Sequence, residues 1–277
     1  MKIAIIPNIS KASYISVVDL LVKAVDGRAL LIAEEAVAHE LSGVVPSTNL
    51  YDEADIAIVI GGDGSILMAA IKCAKYNIPI LGINLGRIGF MSEVETADIK
   101  GAVDRLIDGN YTSEKRMMMD INLVKKNGEG IHKIALNDAV ITKSAEAKLI
   151  SLDLFSNGDK VSEYVADGLI IATPTGSTGY NISAGGPVID PVMELFSATS
   201  ICPHMLNARP MIMPTENVSI RLNDKLEENS ALLTVDGEVC GTVDKGDVVN
   251  ITKSELFTTL IKMGSMSFYD VLMNKLS

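Results

Sequence analysis

Asp63 is the residue of this chain whose setting best suits proton chemistry. It stands in Gly61-Gly62-Asp63-Gly64, between the apolar run Ile56-Ala57-Ile58-Val59-Ile60 and Ser65-Ile66-Leu67-Met68-Ala69-Ala70. Three glycines let a backbone turn sharply and let a ligand approach it closely. Amides exposed at such a turn suit phosphate oxygens, and Asp63 is the one side chain there able to take a proton. The same residues also fit a tight turn whose carboxylate satisfies local amides. A second polar stretch, Thr173-Pro174-Thr175-Gly176-Ser177-Thr178-Gly179-Tyr180-Asn181, follows the apolar run Leu169-Ile170-Ile171-Ala172. Its hydroxyls and glycine amides suit ribose and phosphate; they also describe a capped helix start continued by Asn181-Ile182-Ser183. Asp167, just before that run, reads as an acceptor for a ribose or amide or as a surface turn residue. A third loop, Leu85-Gly86-Arg87-Ile88-Gly89-Phe90, offers Phe90 as core packing or as the border of a site.

The elements that must carry these loops change character along the chain. Residues 2–6, 28–32, 54–60 and 80–84 read as buried strands, with helical spacing over 11–25, 33–41, 65–76 and 96–108 and a polar loop containing Pro46 and Asn49. Strands alternating with helices imply a parallel sheet in a doubly wound, Rossmann-like α/β domain. Ligands of such sheets bind beyond the carboxyl ends of the strands, where the Gly61–Gly64 and Gly86–Phe90 loops fall. From Met117 the period becomes two, with turns at Asn127-Gly128, Asn157-Gly158 and Asp236-Gly237 and strands at 218–223, 231–235 and 247–252. This predicts an all-β, sandwich-like second domain over 113–255. The α/β domain then comprises 1–112, joined by 256–277, whose Phe268–Leu272 reads as a short helix. Met117-Met118-Met119, with no His or Cys beside it, reads as gap-filling core.

Composition narrows the function. Of 277 residues 48% are hydrophobic, and Asp plus Glu (35) outnumber Lys plus Arg (24), a net charge of −11 that argues against a non-specific nucleic-acid binder. A local nest of amides can still hold a nucleotide phosphate. Cys73, Cys202 and Cys240 are too widely spaced for a disulfide framework or zinc pattern, and no dedicated metal cluster is apparent. Met1–Pro7 reads as a strand rather than a signal peptide, and no apolar run is long enough to span a bilayer, so a cytoplasmic protein without membrane partners is expected.

Taken together, the GGDG loop, Asn137-Asp138, and Asp167-Gly168 with Thr173–Tyr180, followed by Ala184-Gly185-Gly186-Pro187 and Ile201-Cys202-Pro203-His204, resemble the NAD kinase family over most of the chain. The resemblance implies phosphorylation of the adenosine 2′-hydroxyl of NAD by ATP or another phosphoryl donor, with Mg²⁺ arriving on the nucleotide. It implies Asp63 as the proton acceptor, with Gly61, Gly62 and Gly64 approaching the nucleotide and Phe90 bordering the NAD site. Asn137, Asp138, Lys148, Asp167, Thr175, Thr178, Gly179, Tyr180, Asn181, Ile182 and Ser183 would line the NAD, Tyr180 packing on a base. It also implies a homodimer or homotetramer. Three positions depart from the family's pattern: Asp138 stands where many relatives have Glu, Val165 where Arg is frequent, and Glu238 where an amide side chain is common. A GGDG-type lipid or sugar kinase, or a non-catalytic dinucleotide sensor, are the alternative readings. A phosphofructokinase-like enzyme is disfavoured, because Pro7-Asn8-Ile9-Ser10 stands where its glycine-rich loop would follow the first strand.

Overall fold

The β-branched runs of the N-terminal third pair as parallel strands because each is apolar on both faces. In chain order the first unit contains β1 (Lys2–Pro7), α1 (Tyr14–Val25), β2 (Leu30–Glu34), α2 (Glu35–Ala38), β3 (Val45–Ser47), α3 (Leu50–Glu53), β4 (Ile56–Ile60), α4 (Asp63–Lys75), β5 (Ile80–Asn84), β6 (Val94–Glu95) and α5 (Ile99–Ile107). The strand order is β3-β2-β1-β4-β5, all parallel. β4 and β5 are buried along their whole length. Side chains of β1, β4 and α1, including Ile3, Ile58, Val18 and Leu21, share one core with Val103 and Leu106 of α5.

The structure is a computed structural model that describes residues 1–86, 89–144, 149–205, 208–226, 230–264 and 266–276. Two compact units divide it, Met1–Arg116 with Thr258–Ser277, and Met117–Phe257. The division falls within β7 (Thr112–Val124).

The second unit continues through β8 (Gly130–Ala135), β9 (Asp138–Lys143), β10 (Ile150–Ser156), β11 (Asp159–Ala166), β12 (Gly168–Ala172), α6 (Tyr180–Ser183), β13 (Phe196–Ile201), β14 (Met211–Met213), β15 (Val218–Leu222), β16 (Ser230–Val235), β17 (Glu238–Asp244) and β18 (Val248–Lys262), and α7 (Phe268–Leu276) closes the chain in the first unit. One antiparallel sheet has the order β14-β13-β12-β9-β16-β17. In the second unit's other sheet, β11, β10, β15 and the first part of β18 are antiparallel neighbours. Alternate side chains of both sheets, among them Met119, Ile121, Leu152, Leu169, Ile171 and Leu233, meet in one core, the packing of a β-sandwich. Met117 and Met119 are part of it, as gap-filling residues.

Several boundaries differ from the periodicity. The second strand lies at Leu30–Glu34 rather than 28–32, and the helix expected over 33–41 is one turn, Glu35–Ala38. The Pro46 loop is strand β3, paired with β2 at the edge of the sheet, where a missing N–H costs no ladder bond. The last strand runs on to Lys262. α4 starts at Asp63 itself, not after Gly64, and that shift matters for chemistry. Among the described residues no helix is long and apolar enough to cross a membrane.

Candidate active site

Asp63 is the first residue of a 13-residue helix, and Gly62 before it is extended (φ −103, ψ −169). The first amides of a helix have no partner within it, so those at Asp63 and Gly64 face a place suited to negative charge. Gly61 is required by space, since a Cβ there would lie 2.1 Å from Ser65 Oγ. Gly62 and Gly64 differ, for a Cβ on either would meet no atom within 4 Å. The loop is thus packed on its inner side and open on its outer side.

The carboxylate of Asp63 is held by the third glycine loop. Phe90 N–H donates to Oδ2 at 2.8 Å and Met91 N–H to Oδ1 at 3.0 Å. This close approach needs a glycine at 89, because a Cβ there would lie 1.9 Å from Asp63 Oδ1. The loop is itself anchored: Gly89 N–H donates to the buried Ser92 Oγ at 2.7 Å, and Glu93 N–H to Gly82 O at 3.0 Å. The buried Glu93 carboxylate accepts from Met263 N–H at 2.9 Å and pairs with Lys262. The Phe90 ring lies 5.9 Å from that of Phe268, with Lys275 Nζ 5.0 Å from its centre. Phe90 thus packs its ring on α7 while its backbone amide holds the Asp63 carboxylate.

β1 has β2 on one side and β4 on the other, so strand order reverses there, the usual crevice for ligands in such sheets. A cavity of about 310 Å³ opens beside it, lined by Asn8, Glu34, Tyr51, Ser65, Met68 and Lys72 among others. Asn8 Nδ2 donates to Ser65 Oγ at 3.3 Å, tying the wall to the GGDG helix. Lys72 Nζ lies 5.3 Å from the centre of the Tyr51 ring, and burial pushes the Tyr51 hydroxyl up to about 12. The sequence pattern did not single out Tyr51 or Lys72; only the packing of α3, which carries Tyr51, and α4, which carries Lys72, brings them to the crevice.

The second unit gathers its polar residues at one end of a sheet. Ala172, last in β12, pairs with Asp138, first in β9, and Val235, last in β16, pairs with Ala139. Asp236 follows in an Asp-Gly turn with both residues left-handed (φ 47 and φ 85), the type I′ hairpin geometry. Its carboxylate accepts three consecutive amides: Leu136 N–H at 2.8 Å, Asn137 N–H at 2.9 Å and Asp138 N–H at 3.0 Å. Burial raises both carboxyls, and the neighbouring Asp236 adds to the effect on Asp138, which is pushed up to about 7. Thr173 N–H donates to Asn137 O at 2.8 Å, and the Thr173 hydroxyl bridges Leu136 O and Gly176 N–H. Gly176 is pressed against Asn137, a Cβ there lying 2.1 Å from its carbonyl oxygen. A Cβ on Gly179 would lie 3.8 Å from Asn137 Nδ2 and 3.9 Å from Asp138 Oδ2. Amid these satisfied groups, Asn137 Oδ1 is buried with no hydrogen-bond partner.

The remaining expected residues fall out unevenly. Thr175 and Thr178 form a 3-10 turn leading to Gly179 and the one-turn α6. Tyr180 is exposed and Ser183 faces solvent, while Ile182 is half-buried. Asn181 is fully buried, and its amide is spent inside the protein: Nδ2 donates to Ser177 O and Pro187 O, and Oδ1 accepts from Ser197 and Thr199. Its place is that of a loop anchor. Asp167 pairs with Lys143 at 2.8 Å at the other end of β12 from Thr173, about 20 Å away at the usual rise per residue. Within this unit it is not brought to the Asn137–Gly179 cluster. Lys148 lies outside the described residues. Asp236, which the sequence offered only as a hairpin turn, is the residue missed; no local signal tells an exposed Asp-Gly turn from one whose carboxylate turns inward.

A doubly wound sheet with a glycine loop at a helix N-terminus and a carboxylate held beside it has the parts that a nucleotide-dependent phosphotransferase needs. Comparison with known proteins narrows the class. The model for the ATP-NAD kinase N-terminal domain matches residues 35–111, and that for the ATP-NAD kinase C-terminal domain matches 136–263. NAD kinase of Thermoanaerobacter pseudethanolicus is 39% identical over 281 residues, covering 100% of this chain and 99% of its own. That of Acetivibrio thermocellus is 35% identical over 280 residues, covering 100% and 97%. This chain belongs to the NAD kinase family. Its fold is shared with yeast NADH kinase solved with NADH (TM-score 0.89, 23% identity, 100% of this chain and 87% of that one). It is shared too with an NAD kinase from Archaeoglobus fulgidus solved with ATP (TM-score 0.75, 24% identity, 100% and 98%).

Proposed function

We propose that this chain transfers the terminal phosphoryl group of ATP to the 2′-hydroxyl of the adenosine ribose of NAD, giving NADP and ADP, with Asp63 as the proton acceptor. Family membership selects this acceptor over the lipid or sugar that a GGDG loop leaves open. The observation that carries the role of Asp63 is its fixed carboxylate at the open, glycine-lined start of α4. Two backbone amides leave each oxygen with a further lone pair. As the 2′-oxygen bonds to phosphorus, its proton passes to Asp63 and the bond between the γ-phosphorus and the β-phosphate oxygen breaks.

Donor phosphates fit the amides of Gly62, Asp63 and Gly64, with Gly61 shaping the loop, and the adjacent cavity suits the base of the donor, with Lys72 at its wall. In the second unit Asn137, Asp138, Thr175, Thr178 and Gly179 are assigned to NAD, with the exposed Tyr180 ring as a surface for a base and Ile182 and Ser183 beside it. A carboxyl near neutrality, as Asp138 is, can donate to or accept from ribose hydroxyls. Asp167, Phe90 and Lys148 keep the assignment that the family resemblance implies. Among the described residues no group of three or more His, Cys, Asp or Glu is arranged to hold a metal ion. Mg²⁺ would arrive with the nucleotide and neutralise charge on its phosphates. The proposed assembly, a homodimer or homotetramer, is read by light scattering.

The test is an endpoint assay with ATP, Mg²⁺ and NAD, in which NADP is read by a strictly NADP-dependent dehydrogenase, run for the wild type and Asp63→Asn. Product from the wild type with a loss of at least about 10²-fold in the variant is expected. Near-wild-type turnover by a folded Asp63→Asn would remove Asp63 from the mechanism.

A further inference from the structure

We infer that Asp236 is a positioning residue for the dinucleotide, acting through Asn137. The inference rests on the reading that Asn137 contacts NAD. Three consecutive backbone amides, at Leu136, Asn137 and Asp138, donate to this one carboxylate at 2.8–3.0 Å, and Asp236 N–H returns a bond to Asp138 O at 3.0 Å. A β-ladder needs no such cluster, since Asp138 and Ala139 already pair with Ala172 and Val235. The cluster instead fixes the bend by which the chain enters β9.

That bend decides where the Asn137 side chain points. The Asn137 backbone carbonyl is held by Thr173 N–H and by the close approach of Gly176, so it cannot rotate to compensate. Among the described side chains of this cluster, Asn137 Oδ1 is the buried polar atom without a partner. A buried acceptor left unpaired is destabilising, a cost removed when a ligand N–H or O–H meets it. The amino group of adenine and the hydroxyls of ribose are donors of that kind. Asp236 sits 99 residues from Asn137 in sequence and, through its bonds to the amides of residues 136–138, sets the direction of that acceptor. Its left-handed backbone and the Gly237 turn keep the carboxylate turned toward β9 rather than solvent.

The experiment measures KM for NAD and for ATP, kcat, and the thermal midpoint of Asp236→Asn, Asn137→Ala and the double variant. Asp236→Asn keeps the shape but aims an NH₂ at a row of N–H donors. The expected result is a rise of about tenfold in KM for NAD with KM for ATP within about twofold of wild type. In the Asn137→Ala background the Asp236 change should raise KM for NAD no further, because the atom it positions is gone. Gly237→Ala, which keeps the carboxylate but strains a left-handed turn, is the second variant where Asp236→Asn fails to fold, and should raise KM for NAD by a smaller factor. A lower thermal midpoint with KM for NAD unchanged, or equal rises in both KM values, would overturn the inference. Absence of NADP from the wild type would instead count against the reading on which it rests.

Discussion

Replacing Gly89 with Ala tests whether the geometry of Asp63 is the catalytic one. The new Cβ would stand 1.9 Å from Asp63 Oδ1, 2.4 Å from Cγ and 2.7 Å from Oδ2. Ordinary contact begins near 3.4 Å, so the carboxylate must retreat by about 1.5 Å or the loop must swing away. Either movement breaks the bonds from Phe90 and Met91 N–H, which at 2.8 and 3.0 Å have little slack. A misplacement of about 1 Å in a reacting group costs on the order of 10²-fold in rate. The variant should therefore lose roughly 10²-fold in kcat, a loss exceeding any change in KM for NAD, because the displaced group is the base. Stopped assays over a range of NAD and ATP concentrations give both constants, and a thermal melt checks folding. Combined with Asp63→Asn, Gly89→Ala should reduce kcat little further, because the group it displaces has already lost its basicity. A folded Gly89→Ala enzyme turning over within about threefold of wild type, while Asp63→Asn is inactive, would refute the claim that these two amide bonds orient the base.

Gly64→Ala probes the open side of the loop. Its methyl group meets no protein atom, so stability should hold or rise by about 0.5–1 kcal/mol in a helix, while KM for ATP rises as the methyl takes phosphate space; an unchanged KM places the donor elsewhere. Gly176→Ala drives a Cβ to 2.1 Å from a backbone carbonyl and should lower stability by about 1–3 kcal/mol in chemical denaturation, along with NAD affinity. Stability should also carry a signature of Asp138. Its carboxyl is raised from 3.8 to about 7 by burial and then by Asp236, so the folded state binds more protons over that window. The contribution is present below pH 3.8 and lost as pH rises through about 7. The wild type minus Asp138→Asn difference in unfolding free energy should thus fall as pH rises from 4 to about 7; a flat difference would show that the carboxyl titrates normally.

Much of the architecture is legible in local pattern. Apolar runs of β-branched residues separated by helical spacing specify parallel strands, and the switch to period two at β7 marks the antiparallel unit. Misplaced elements share a cause. β3 carries Pro46 and is three residues long, too short for any period, and it exists because β2 offers it an edge. The helix expected over 33–41 starts late, at Glu35, because the second strand runs on to Glu34 before it.

For the site the division is sharper. Sequence alone determined that a glycine loop with one carboxylate follows a buried strand, that a hydroxyl-rich stretch follows another, and that Asp236-Gly237 turns a hairpin. Those are properties of neighbours in the chain, where residue type and spacing are sufficient. Only the tertiary structure decided that Asp63 is oriented by amides 27 and 28 residues away, that Asn181 is a spent anchor, and that Asp167 lies at the far end of β12. It alone turned the Asp236 carboxylate inward onto amides 98 to 100 residues distant. A hydrogen bond between remote residues depends on which strands become neighbours and in what register, and a carboxylate's partners are chosen by that pairing rather than by the residues beside it in the chain.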